Sequence, residues 1–286
     1  MWKDCCVHKL GLGTVQFGQS YGISNNRGQV PRGEATVILA RAAQAGVAVL
    51  DTAANYGEAE TVLAALDTSP FRIVTKTISV RDGVDAVVAR AKASAERLKA
   101  DTLLVHAVAD LEEPALWPAL QRLKHDGIFR RIGISAYVAD DAAGLAARFR
   151  PDVIQLPFSL LDQRLLRDST LARLADMGVE VHARSLFLQG LLLMAPDALP
   201  ANLAIAASHL AALRARLAAA GVTPLAAALG FVLSRPEVAI GLVGVTGLDE
   251  LDGILEAAAY PLPALDWDAC ALNDERILTP SLWQRP

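Results

Sequence analysis

The chain has 286 residues, with 27 Lys and Arg against 31 Asp and Glu and a formal net charge of -4. That balance provides no basic field to attract phosphates, so the composition argues against nucleic acid as a partner. Hydrophobic residues make up 53% of the chain and aromatic residues 5%, which is typical of Ala- and Leu-rich helices around aliphatic strands. The length suits one large α/β barrel domain or two smaller domains.

The cysteines and the N-terminal residues favour a location in a reducing compartment. Cys5, Cys6 and Cys270 cannot all pair, and the adjacent Cys5 and Cys6 have no metal-ligand spacing around them. The first residues lack an apolar core of signal-peptide length, and charges interrupt every Leu/Ala-rich stretch before it could span a bilayer. We therefore expect a cytoplasmic protein without a metal site or membrane segment, and the sequence leaves the oligomeric state open.

Short aliphatic runs alternate with longer segments of helical period along the whole chain. The runs predict eight strands, at residues 9–14, 47–51, 72–76, 102–106, 131–135, 153–156, 179–183 and 239–243. The segments of helical period predict helices at residues 33–45, 61–66, 84–98, 114–125, 140–149, 165–177, 210–220, 225–233 and 249–258. Gly46, Gly127 and Gly178 stand between a helical pattern and the next strand, as helix C-caps do.

Eight strand–helix units predict a single α/β domain over residues 1–286, with the fold of a (β/α)8 TIM barrel. Asp51, Lys76, His106, Ser135 and Gln155 all fall at the carboxyl ends of successive predicted strands. Only a closed barrel brings so many consecutive strand ends round one cavity, whereas an open doubly wound sheet does not. The long segment 185–208 after the seventh strand is expected to be a functional loop.

Four polar side chains at or near these strand ends can act together in proton transfer: Asp51, Tyr56, Lys76 and His106. A tyrosine phenol can donate a proton at neutral pH, but it regains the proton poorly unless a neighbour stabilises the phenolate. A buried lysine supplies that stabilisation, a carboxylate keeps the lysine charged, and an imidazole can orient a carbonyl. The four residues therefore predict a site that delivers a proton.

An ordered set of motifs resembles the aldo-keto reductases over almost the whole chain. The motifs are Gly11-Leu12-Gly13-Thr14, Asp51-Thr52-Ala53-Ala54-Asn55-Tyr56-Gly57, Thr75-Lys76-Thr77, Leu104-Val105-His106, Gly133-Ile134-Ser135 and Gln155. The resemblance implies an NAD(P)(H)-dependent barrel that moves a hydride between nicotinamide C4 and the carbonyl carbon of a small aldehyde, ketone or sugar-like substrate. It implies neither a metal nor a Rossmann fingerprint.

The resemblance also implies roles for individual residues. Tyr56 would be the general acid in reduction and the base in oxidation, Lys76 would activate it, Asp51 would hold Lys76, and His106 would position the carbonyl oxygen. The residues that match cofactor-binding positions are Thr14, Asp51, Ser135, Gln155, Arg184, Gly190, Gly244 and Thr246. Phe17, Tyr21, Phe158 and Trp283 are apolar candidates for the pocket wall.

The chain departs from the family pattern at three places. Ala136 follows Ser135 where many members have asparagine, and Arg184 stands where an aromatic ring often stacks on the nicotinamide. After the eighth strand, Asp249 and Glu250 stand where members often carry an Arg or Lys for the 2′-phosphate. The family favours NADP(H) as cofactor, and these acidic residues leave NAD(H) open. Arg184 can lie under the cofactor, bind an anionic substrate or form a salt bridge.

Two other functions remain open from the sequence. Barrel enzymes also place a lysine at a strand end as a nucleophile, so Lys76 could serve a Schiff-base lyase or aldolase if it lacked Asp51 as a partner. The altered positions Ala136 and Arg184 are also compatible with a barrel that binds a nicotinamide nucleotide and turns over little or no substrate.

Overall fold

The sheet of the computed structural model, which describes residues 7–283, is a closed barrel of short parallel strands. The strands are β1 Leu10–Gly13, β2 Val49–Asp51, β3 Arg72–Lys76, β4 Thr102–Val105, β5 Arg131–Ser135, β6 Val153–Pro157, β7 Glu180–Arg184 and β8 Val238–Gly244. Each strand pairs with the next in chain order, and β8 pairs with β1 to close the ring. The predicted (β/α)8 barrel is confirmed. Cys5 and Cys6 lie outside the described residues, and Cys270 is free and buried.

Helices follow the strands and cover the outside of the barrel. The α-helices of the described range are α1 Val15–Gly18, α2 Arg32–Ala45, α3 Ala59–Ala64, α4 Val84–Leu98, α5 Leu116–His125, α6 Ala142–Phe149, α7 Arg164–Arg167, α8 Thr170–Asp176, α9 Ala207–Ala219, α10 Pro224–Leu233, α11 Leu248–Ala258 and α12 Glu275–Leu278. Gly46 caps α2 in the left-handed conformation, and Gly127 and Gly178 follow α5 and α8 with positive φ, as predicted.

The sequence prediction is wrong in one helix, omits the short helices α1 and α12, and is incomplete in one loop. The helix predicted at 165–177 is two helices, α7 and α8, because Ser169 has a φ of 62° and breaks the hydrogen-bond ladder between them. The Asp168 carboxylate accepts from the Thr170 N–H at 2.9 Å, at the start of the second helix. The long segment after β7 contains 3-10 turns at Leu188–Leu193, Pro196–Ala198 and Ala201–Ala206 before α9 begins.

Side chains alternate along each strand, so every second residue points into the barrel. The middle layer of the interior is apolar and consists of Val49, Val74, Leu104, Val153, Ile240 and Leu242. A larger apolar core lies between the strands and the helices. At the amino-terminal end of the barrel, Glu180 forms ion pairs with Arg72 and Arg131 and lies 2.7 Å from His182 Nε2. These layers close the barrel below its carboxyl-terminal mouth, where the remaining inward-facing residues are polar.

Candidate active site

One cavity of about 770 Å³ opens at the carboxyl-terminal ends of the strands, the face that carries the active site in barrel enzymes of this kind. Its volume is within the range of ~300 to 1,000 Å³ usual for small-molecule and cofactor sites. Asp51, Tyr56 and His106 line it, together with Ser135, Gln155 and Arg184. The strand ends therefore bring together the side chains that the sequence placed at a common site.

Lys76 and Asp51 form a buried ion pair at the base of the cavity. Lys76 is 2% exposed and Asp51 is 4% exposed, and Lys76 Nζ lies 2.5 Å from Asp51 Oδ2. The other Asp51 oxygen accepts from Gln155 Nε2 at 2.6 Å. Burial alone would lower the pKa of the Lys76 ammonium, but the Asp51 charge and the Tyr56 hydroxyl outweigh it, so the pKa is raised. Lys76 is therefore a permanent cation at neutral pH.

The Lys76 ammonium has one acceptor for each of its three protons. Besides Asp51, it donates to the Thr52 carbonyl oxygen at 3.0 Å and to the Tyr56 hydroxyl oxygen at 3.2 Å. The Tyr56 oxygen thus accepts a hydrogen bond from a cation while its own O–H remains to be donated. Because Tyr56 lines the cavity, that proton is available to a ligand there.

Close packing of two glycine-containing turns positions Tyr56, which lies between β2 and α3. A Cβ added at Gly18, the last residue of α1, would overlap the Tyr56 carbonyl oxygen and the Ala59 backbone nitrogen. The Gly18 carbonyl oxygen also accepts from the Glu58 N–H at 3.3 Å. The backbone around Tyr56 therefore rests directly on α1, at a position where a side chain has no room.

His106 follows β4 and faces Tyr56 across the cavity. The two ring centroids are 5.9 Å apart in an edge arrangement with an interplanar angle of 81°. The backbone N–H of His106 donates to Thr77 Oγ1 at 3.2 Å. Burial, followed by the positive charge of Lys76, lowers the pKa of His106 to about 4. The imidazole is therefore neutral at physiological pH and can donate one N–H to an oxygen in the cavity.

Arg184 ends β7 and lies over the Tyr137 ring at the mouth of the cavity. Its Nη2 donates to the Ala136 carbonyl oxygen at 3.0 Å, and its Cζ lies 4.5 Å from the centroid of the Tyr137 ring. The salt bridge considered for Arg184 from the sequence is not found among residues 7–283. The guanidinium is thus held at the mouth by a hydrogen bond and a cation–π contact, without a carboxylate contact among these residues.

The residues expected to bind a cofactor lie along the same cavity: Thr14, Ser135, Gln155, Arg184, Gly190, Gly244 and Thr246. The Thr14 hydroxyl donates to the Asp51 carbonyl oxygen at 3.0 Å, which ties β1 to β2 beside the ion pair. Gly190 has a φ of 99°, and a side chain there would overlap the Ser24 hydroxyl. The loop after β1 and the loop after β7 therefore meet over the cavity, where Ile23 N donates to the Gln189 carbonyl oxygen at 3.2 Å.

Several cavity residues were not assigned to a binding role from the sequence. Gln16 and Tyr137 line the cavity and carry no family motif, and no pattern in the sequence indicated a binding role for either residue. Among the predicted wall residues, Tyr21 lines the cavity. Phe17 and Phe158 are buried in the main core, and Trp283 packs against it.

The structure contains no group of three His, Cys, Asp or Glu side chains within residues 7–283 that could hold a metal ion. No single helix of that range is long and apolar enough to cross a membrane. The segments 201–219 and 224–233 reach that length and apolar composition only when they are counted together across an 86° bend.

Comparisons with known proteins define the class of this barrel. A family model described as "Aldo/keto reductase family" matches residues 9–273. The chain belongs to that family, and it spans less than two thirds of the length of the first curated relatives that it matches. The family acts on small carbonyl compounds and generally uses nicotinamide cofactors.

Individual relatives are distant. An aldo-keto reductase of Mycobacterium sp. (strain KMS) is 34% identical over 185 residues, which cover 59% of this chain and 64% of the relative. L-galactose dehydrogenase of Arabidopsis thaliana is 27% identical over 96% of this chain and 91% of its own length. An aldo-keto reductase of Bacillus halodurans, solved in its holo form, shares the fold with a TM-score of 0.71 at 19% identity, over 97% of this chain and 94% of the other.

Two features of the cavity fit a nicotinamide dinucleotide. Gln16 is 9% exposed, and its Oε1 has no hydrogen-bond partner among the described residues, so a ligand can complete its contacts. A Cβ at Gly244 would lie 2.6 Å from Gln16 Nε2; without one, the chain leaves a cradle at the end of β8. The cavity also continues past this cradle to Gly253 and Ile254 of α11, so it is elongated as a dinucleotide requires.

Proposed function

We propose that this protein is an NAD(P)(H)-dependent oxidoreductase that reduces a small aldehyde, ketone or sugar-like carbonyl, or oxidises the corresponding alcohol. In the proposal Tyr56 donates the proton in reduction and accepts it in oxidation. The observation that carries the proposal is the hydrogen bond from Lys76 Nζ to the Tyr56 hydroxyl oxygen at 3.2 Å. It directs the Tyr56 proton toward the cavity beside a cation that can stabilise the phenolate.

In this proposal some side chains stabilise charge and others orient the reacting groups. Reduction builds negative charge on the carbonyl oxygen, and the Tyr56 hydroxyl and the neutral His106 N–H are donors for that oxygen. Asp51 keeps Lys76 charged, and Gln155 donates to the second Asp51 oxygen and so orients the carboxylate. A bound nicotinamide would supply or receive the hydride at its C4.

The residues that would hold the dinucleotide line the same cavity. Ser135 and Gln155 are the candidates for the nicotinamide carboxamide, and Arg184 for the face of the ring. Gly190 and Gly244 would admit the pyrophosphate, and Thr246 lies toward the adenosine end. We also propose that the substrate is a small molecule and that the protein is cytoplasmic. We propose no nucleic acid as a partner.

The charge state of Lys76 disfavours the lyase alternative. A Schiff-base lysine attacks as the neutral amine, whereas Lys76 has a raised pKa and three acceptors for its ammonium protons. A barrel that binds the nucleotide with negligible turnover remains the second candidate, because Ala136 and Arg184 replace residues that usually orient the nicotinamide.

The test combines cofactor binding with turnover. Purified protein is mixed with NADH or NADPH and a panel of simple aldehydes, ketones and aldoses, and L-galactose with the oxidised cofactors, while the nicotinamide absorbance is followed. We expect the Tyr56→Phe variant to bind cofactor like the wild type and to lose a factor of about 10² to 10⁴ in kcat. Full activity in Tyr56→Phe would refute the assigned donor, and tight binding without turnover in the wild type would favour the second candidate.

A further inference from the structure

The end of the cavity remote from Tyr56 is formed by the turn between β8 and α11. Thr246, Asp249, Glu250, Gly253 and Ile254 line it. A Cβ at Gly253 would meet no heavy atom within 4 Å, so this part of the helix faces open space. Ile254 also lines the cavity at this end, although it is only 4% exposed. The remote end of the cavity therefore combines open space at Gly253 with the polar residues of the turn.

Three hydrogen-bond donors of this turn are bound to carboxylates. The Thr246 N–H donates to Glu250 Oε2 at 2.7 Å, and the Thr246 hydroxyl donates to Glu250 Oε1 at 2.9 Å. The Leu248 N–H, in the first turn of α11, donates to Glu34 Oε1 at 2.9 Å. Free N–H groups at a helix start commonly bind a phosphate, and here protein carboxylates take that place.

The nearby guanidinium is also bound. Both terminal nitrogens of Arg27 lie 2.8 Å from the two oxygens of Asp249, a bidentate pairing that uses the fork a phosphate would need. The hydrogen bonds from Arg27 hold the pKa of Asp249 below its usual range. Glu250 and Glu34 act on the same guanidinium by charge. Three carboxylates thus face one arginine at this end of the cavity.

We propose that this turn selects a dinucleotide with a free ribose 2′-hydroxyl, so that the cofactor is NAD(H) rather than NADP(H), and that Glu250 is the residue that determines the preference. The inference rests on the proposed function, since it assumes that a nicotinamide dinucleotide occupies the cavity. It replaces the NADP(H) preference that the family resemblance implied, which no observation of this chain supports.

The two cofactors differ only in the group that meets Glu250. A ribose 2′-hydroxyl can donate a hydrogen bond to a carboxylate, which is how acidic residues recognise NAD(H) in other folds. A 2′-phosphate carries a charge of about -1.5 to -2 at neutral pH and has no hydrogen to offer. It would have to displace Glu250 from Thr246 or sit against three carboxylates, and like-charge juxtaposition strongly suppresses binding.

The experiment measures binding of this end of the cofactor alone. ADP-ribose and 2′-phospho-ADP-ribose lack the nicotinamide, so calorimetric titration of the wild-type protein with each reports the ribose contact without turnover. We expect the Kd of ADP-ribose to be lower by at least about tenfold. In the Glu250→Gln variant, which keeps the size of the side chain and removes its charge, we expect the difference to fall below about threefold.

The matched control is Glu256→Gln, which makes the same chemical change on the exposed side of α11. We expect it to leave the preference unchanged. Equal or tighter binding of 2′-phospho-ADP-ribose by the wild type would overturn this inference alone. An ADP-ribose preference that Glu250→Gln leaves intact would overturn the assignment to Glu250. If neither probe nor either intact dinucleotide binds, this inference and the proposed function fail together.

Discussion

The Lys76 ammonium and the Asp51 carboxylate lie 2.5 Å apart at the ends of two neighbouring strands, and both are almost fully buried. Such a pair forms because β2 and β3 are adjacent and parallel and end at the same rim of the barrel. Removing two charges from water is unfavourable unless each is paired and its remaining hydrogen bonds are made. Thr52, Tyr56 and Gln155 make those bonds, so the cluster is a single unit.

The first prediction tests that unit through stability. Lys76→Met removes the cation and leaves the Asp51 carboxylate buried with only Gln155 as a partner. We expect the free energy of unfolding to fall by about 3 to 5 kcal/mol, the effect of breaking a buried pair, as measured by urea denaturation near neutral pH. The exposed Lys92 of α4 provides a matched control, since Lys92→Met should change the value by less than about 0.5 kcal/mol. Equal stabilities of the two variants would show that the pair is not coupled.

The positions of these catalytic candidates could be predicted from the sequence because a closed parallel barrel fixes where strand ends meet. Asp51, Lys76 and Ser135 end their strands in the structure, His106 follows its strand directly, and Gln155 lies two residues before the end of β6. Strand boundaries depend on local aliphatic runs, which a single sequence displays. The contact between Gln155 and Asp51 joins residues 104 positions apart, and no local pattern indicates that the amide holds the carboxylate.

The second prediction concerns pH. The pKa of His106 is about 4 in the folded protein against 6.5 for the ordinary side chain. Above pH 6.5 the His106 imidazole is neutral in both the folded and the unfolded protein, so the folded protein keeps its full stability. As the pH falls from 6.5 toward 4, the unfolded chain takes up a proton that the folded chain does not, and stability is lost by up to about 3 kcal/mol. Below about pH 4 this loss stops.

Unfolding free energies at about pH 7 and about pH 4 measure the effect. The His106→Gln variant has no imidazole to titrate at this position, so we expect it to lose less stability than the wild type over that interval. His125→Gln, a change at an exposed position of α5, should behave as the wild type does. A parallel loss in the wild type and in His106→Gln would contradict the depressed pKa.

The surroundings of Arg184 and Glu250 illustrate what the sequence could not supply. The sequence marked both residues as departures from the family pattern, yet it left three roles open for Arg184. Its contact partners Ala136 and Tyr137 lie in the loop after β5, 48 and 47 positions away. Similarly, Arg27 meets Asp249 across 222 positions. Side-chain partners at such separations are set by the closure of the barrel, not by local preference.

The third prediction tests the packing beneath Tyr56. Gly18→Ala places a methyl group against the Tyr56 carbonyl oxygen, so we expect a displaced Tyr56 turn, a loss of stability of about 1 to 3 kcal/mol and reduced kcat. Gly33→Ala is the matched control, because a Cβ there meets open space on α2 and alanine should stabilise the helix by about 0.5 to 1 kcal/mol. Thermal unfolding and initial rates measure both. An unchanged kcat in Gly18→Ala would show that the packing of the Tyr56 turn on α1 does not affect catalysis.

The fourth prediction assigns Arg184 to the nicotinamide end of the cofactor. The guanidinium contacts the Ala136 carbonyl oxygen and the Tyr137 ring, and a planar guanidinium can stack on a planar ring. Lysine keeps the charge but not the plane. We therefore expect Arg184→Lys to raise the Kd of the intact dinucleotide by about 3- to 30-fold, as the loss of a cation–π contact implies.

ADP-ribose separates this role from a contact with substrate, because it has no nicotinamide. Its Kd should be the same in Arg184→Lys and in the wild type, since the contact lies at the other end of the cavity from Glu250. If dinucleotide binding is unchanged while the KM of a carboxylate-bearing carbonyl substrate rises, the guanidinium instead binds the anionic group of the substrate. The planar guanidinium of Arg184 would then bind that anionic group through two hydrogen bonds. Arg184 would in that case select the substrate and not bind the cofactor.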